Sequence, residues 1–87
     1  MRMLKEKASD HLGLPKEVFM GASVMHITGK YELYIENFKS IIEYNEEIIK
    51  VQAITCKIFI YGKRLHIEYF NNNDMKITGR INNIEYV

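Results

Sequence analysis

The sequence predicts a mainly β protein: about eight short antiparallel strands in hairpin repeats, preceded by one short N-terminal helix. Two observations carry this expectation. From Ala22 onward, apolar and polar residues alternate with the two-residue period of a pleated strand. In addition, HITGKYELYIENF at 26–38 nearly returns as FIYGKRLHIEYF at 59–70 and, clipped, as KITGRINNIEYV at 76–87. A repeated phrase of this kind marks a repeated structural unit.

The N-terminal segment has helical character. Leu4, Ala8 and Leu12 recur every four residues, and Gly13 is placed to end the helix. Pro15 stiffens the connector LPKEVFMG, so residues 1–21 read as a helical arm and connector and residues 22–87 as the β body of a single domain, 1–87.

Strands are expected near 24–28, 33–37, 40–44, 48–53, 57–61, 65–70, 75–78 and 83–87. β-Branched and aromatic residues fill these runs, and Gly29, Asn45, Gly62, Asn71 to Asn73 and Gly79 punctuate them. Gly62 follows Gly29 by 33 residues and Gly79 follows Gly62 by 17, so a turn is missing midway in the longer interval. Asn45-Glu46-Glu47 supplies it. The unit is therefore a hairpin used four times, with Gly or Asn at a tip that asks for positive φ.

Alternation assigns the faces. Met25, Ile27, Leu33, Ile35, Ile42, Tyr44, Ile49, Val51, Ile58, Ile60, Leu65, Ile67, Tyr69, Met75, Ile77, Ile84 and Tyr86 fall in phase as the expected core. The opposite phase sets Tyr34, Phe59, Tyr61 and Phe70 among His26, Lys50, Lys57, His66, Glu68 and Lys76. With no second long helix to cover a flat sheet, the strands must form a sandwich, a roll or a short solenoid. A compact sandwich or roll is favoured, because a four-turn solenoid would leave both ends uncapped.

Composition narrows the function classes. The 87 residues are 47% hydrophobic and 11% aromatic, the balance of a folded globular chain. Twelve basic residues face eleven acidic ones, interspersed, which argues against nucleic acid as the main partner. Cys56 is the single cysteine, so no internal disulfide forms and the cytosol is the expected compartment. No apolar run reaches the roughly 18 to 20 residues of a membrane span, and MRMLKEKASDHL lacks the apolar centre of a signal peptide.

The chemical candidates are weak. His11, His26, Cys56 and His66 lack the close pairings of a zinc site, and nothing marks a histidine as a base for Cys56. The glycines match neither phosphate-loop pattern, and Glu46-Glu47 lies at a hairpin tip where water keeps both ionised. No catalytic residue, metal ligand or cofactor is expected, and the chain does not read as an enzyme. Tyr34, Phe59, Tyr61 and Phe70 stay open between three readings: cross-strand packing in a second layer, a protein interface, or a surface for nucleic acid or a small ligand.

Four stretches in order, LPKEV at 14–18, ITGKYELYIENFKSIIEYNEEIIKV at 27–51, IFIYGKRLHIEYF at 58–70 and MKITGRINNIEYV at 75–87, resemble the sporulation protein family YabP/YqfC, and its YqfC branch most closely. One departure is AITCK at 53–57, where the family is expected to turn on glycine. The resemblance implies a mother-cell protein of an endospore-forming bacterium with a part in building the spore envelope, coat or cortex. It also implies other sporulation proteins as partners, among them a sporulation membrane protein at the forespore outer membrane. It transfers no catalytic residue. The expected role is a non-enzymatic assembly or adaptor module contacting partners through Tyr34, Phe59, Tyr61 and Phe70, with homo-oligomers left open. The alternative is a β domain that binds a small ligand or cell-wall precursor.

Overall fold

Six strands in one antiparallel sheet make up the β body in the computed structural model, which describes residues 22–87. They are β1 (Val24–Thr28), β2 (Glu32–Glu36), β3 (Ser40–Tyr44), β4 (Ile48–Gln52), β5 (Lys57–Phe70) and β6 (Asp74–Tyr86). Their order across the sheet is β1-β2-β6-β5-β4-β3. The helix expected over residues 1–12 lies outside the described residues.

Eight expected strands become six because Gly62 and Gly79 are not hairpin tips. The runs at 57–61 and 65–70 join into β5, and those at 75–78 and 83–87 join into β6. Both glycines sit where these long strands bend. A Cβ on Gly62 would collide with the Arg80 carbonyl oxygen, so main chain approaches main chain there without any positive φ. Gly79 combines both demands: its φ is +132°, and an added Cβ would stand 2.5 Å from the Arg64 carbonyl oxygen.

Pairing is irregular at this corner, where Lys63 opposes Arg80, His66 opposes Thr78, and Arg64 and Leu65 together face Gly79. Arg64 carries φ 55°. Such a bulge bends its strand and shifts the side-chain phase, which is why burial passes from Ile58 and Ile60 to Leu65 and Ile67.

The bend divides the sheet into two layers. The first half of β6 pairs with β2 and the second half of β5, while the first half of β5 pairs with β4 and the second half of β6. The layers also meet away from the corner. The Tyr44 hydroxyl on β3 accepts from the Ile67 N–H at 3.0 Å and lies 3.2 Å from His66 Nδ1, and Ser23 Oγ ahead of β1 accepts from the Ile54 N–H at 3.1 Å. The fold is thus a roll, a bent sheet closed on its own inner face.

Asn37 makes the crossing from layer to layer. Its φ of 66° suits asparagine, its Nδ2 donates to the Ala22 carbonyl at 2.8 Å, and its own carbonyl accepts from Ser23 Oγ at 2.6 Å. Phe38, next in line, is buried, and its N–H donates to the Asn73 carbonyl at 3.0 Å.

Both layers feed one core. Leu33, Ile35, Ile67, Met75 and Ile77 join Ile49, Val51, Ile58, Ile60 and Leu65, with Met25 and Ile84 packed against them as expected. Ile27, Ile42, Tyr44, Tyr69 and Tyr86 do not belong to it, since each is at least 47% exposed. Ile27 lies on the edge strand β1, Ile42 falls in a β3 irregularity, and Glu68 is an extra residue that turns Tyr69 outward. Phe38, Ala53 and Ile81 take buried places that alternation did not assign.

Candidate functional site

The bend decides where the aromatic phase goes. On the outer face of the first layer, His26, Tyr34, Lys76 and Tyr69 form a row across β1, β2, β6 and β5. His26 and Tyr34 rings lie 6.0 Å apart, and His26 Nε2 is 3.2 Å from Glu36. The Tyr34 hydroxyl donates to Asp74 Oδ2 at 3.2 Å. Partial burial and then this bond raise the Tyr34 pKa above its ordinary 10.0. The Lys76 ammonium is raised in turn, first by its bond to Glu68 and next by the Glu32 charge, at 3.4 and 3.6 Å.

The outer face of the second layer carries Phe59 and Tyr61. Their rings meet edge to face at 6.5 Å, with Lys50 Nζ 4.8 Å above the Phe59 ring and tied to Glu43 at 3.1 Å. The Tyr61 hydroxyl donates to Glu85 Oε1 at 3.1 Å, and its pKa is raised by partial burial and then by that bond. Ile48 and Asn83 flank Tyr61 in register.

Of the four predicted contact residues, only Phe59 and Tyr61 stand together. Tyr34 is on the opposite outer face. Phe70 pairs with Met75 at the end of β5 and shares the inward side of that strand, 60% exposed. His66, assigned by alternation to the same phase as Phe59 and Tyr61, is bonded to Tyr44 on the far side of the bend.

Clefts occur elsewhere. One of about 580 Å³ opens at the corner and is lined by Tyr31, Lys63, Arg64, Gly79 and Arg80. Another, of about 290 Å³, lies between Met25, Ala53, Cys56, Ile58 and Tyr86, and a third, of about 390 Å³, between Tyr44, Glu46, Arg64, Leu65 and His66. None of the three is lined by Tyr34, Phe59, Tyr61 or Phe70.

Residues 21–87 match the model of the YabP family. The chain belongs to the YabP family. Membership points to a sporulation-related protein. No curated protein matches the chain, and neither does any solved structure.

In this YabP-family chain the corner residues escaped the alternation argument, yet the sequence carries a signal for them. Each repeated phrase sets a basic residue directly after its glycine: Gly29-Lys30, Gly62-Lys63-Arg64 and Gly79-Arg80. The fold gathers all three at one place. The Gly79 N–H donates to the Tyr31 carbonyl at 3.2 Å, the Ile81 N–H to the Lys30 carbonyl at 2.7 Å, and Lys63 pairs with Arg80 in register.

Proposed function

We propose that this YabP-family protein is a non-enzymatic assembly module of spore envelope formation, of the YqfC branch, working in the mother cell. Its partners are other sporulation proteins, including a membrane protein at the forespore outer surface. The observation that carries this reading is the placement of Tyr34, Phe59 and Tyr61 on the two outer faces of the roll, lining none of its clefts. Half-buried aromatics rimmed by charge on an open face suit a protein contact, whereas a small-molecule site concentrates them in a cavity.

Complementation in a sporulating host that lacks its own copy tests the reading face by face. Phe59→Ala with Tyr61→Ala should leave a folded protein, judged by circular dichroism, that no longer restores spore formation. Tyr34→Ala should show whether the first layer contributes as well. Normal sporulation with all three residues replaced in a folded protein would remove the outer faces from consideration.

A further inference from the structure

The corner cleft carries an inference independent of the assembly role. Arg64 and Arg80 are the only arginines among the described residues, and both line it. Neither pairs with a carboxylate among those residues. Lys63 does, with Glu47 at 3.4 Å, but both side chains are largely exposed and the pair is weak.

Two local costs accompany this concentration of charge. Lys63 and Arg80 stand directly opposite each other across β5 and β6, an arrangement of like charges that destabilises a sheet. Arg64 holds φ 55°, a conformation that glycine or asparagine adopts more readily. The exposed Lys63–Glu47 pair offsets the first only weakly, and an anion between the two basic side chains would relieve it further.

We propose that the corner cleft is an anion site that takes a phosphate group. Arg64 and Arg80 bring two guanidinium groups, whose planar donor forks match phosphate oxygens, and Lys63 adds a third positive charge to the same lining. A lone carboxylate would balance only one of these charges. At about 580 Å³ the open cleft accommodates a phosphate that is part of a larger molecule, either soluble or a lipid headgroup.

The test uses the full chain labelled with nitrogen-15. Potassium phosphate is titrated against potassium chloride at matched ionic strength, and in parallel the protein is sedimented with vesicles of phosphatidylglycerol in phosphatidylcholine and with phosphatidylcholine alone. The expected result is saturable amide shifts at Tyr31, Lys63, Arg64, Gly79 and Arg80 with phosphate, or binding to the phosphatidylglycerol vesicles alone. The first outcome assigns the site to a soluble phosphate and the second to a headgroup.

Arg64→Gly with Arg80→Gln should weaken either response about tenfold or more, because charge-assisted bonds are lost. Glycine accepts the φ at position 64, so this variant should stay folded. Lys39→Gln with Lys57→Gln removes the same charge away from the cleft and should bind normally. No saturable response in either arm, binding retained by the arginine variant, or equal loss in the lysine control would overturn the proposal.

Discussion

Ile60 and Tyr69 were both expected in the core, from the two runs that join into β5, yet Ile60 is fully buried and Tyr69 is 48% exposed. Alternation identified most of the core because its period is the pleat itself, but it cannot see an extra residue such as Glu68, which reverses the phase for whatever follows. Ile60→Ala should therefore cost about 2 to 5 kcal/mol, a large share of the roughly 5 to 10 available to so small a fold. Tyr69→Ala should cost little. Urea melts with equal midpoint shifts for the two would contradict the burial pattern.

Tyr34, Tyr61 and Lys76 also make a prediction about alkali. The folded state holds each of their protons more tightly than the unfolded chain does. That contribution is fully present below the ordinary tyrosine value of 10.0 and is lost as pH rises through the raised values. Stability should thus begin to fall near pH 10, and Tyr34→Phe with Tyr61→Phe should flatten the decline. Ultraviolet titration of wild type should show late-ionising tyrosines that the double variant lacks.

At the scale of elements, turns that depend on side chains were easier to place than bends that depend on backbone approach. Asn45 Oδ1 accepts from the N–H groups of Glu47 and Ile48, and Asn71 Oδ1 accepts in the same way from Asn73 and Asp74. Asparagine makes this turn locally, so position in the sequence is enough to find it. Gly62 serves instead to let β5 touch β6, a partner 18 positions away that no local pattern names. The two kinds of glycine should respond differently to substitution. Gly62→Ala forces backbone apart and should destabilise strongly, whereas Gly29→Asn, at φ 58° with open space around it, should be nearly neutral. Thermal melts in which Gly62→Ala is the milder change would exclude a backbone contact at the corner.

At the scale of the whole molecule, the fold class was legible because the alternating body at 22–87 offered no long helix to cover a sheet with one oily face, which left the sheet to close on itself. The site was less so. Tyr34, Phe59, Tyr61 and Phe70 share a phase in the sequence, but phase relates neighbours on one layer only, and the corner separates them into two outer faces and a strand end. The same corner brings Lys63, Arg64 and Arg80 together with Tyr31. Both functional readings therefore depend on the bend at Gly62 and Gly79. The most direct test is a nuclear Overhauser spectrum of the isotope-labelled full chain. A bent sheet predicts cross-peaks between the Ile67 amide and the Tyr44 ring, with none from Phe59 or Tyr61 to Phe70; cross-peaks from Phe59 and Tyr61 to His66 and Phe70, with the Tyr44 contact absent, would contradict it.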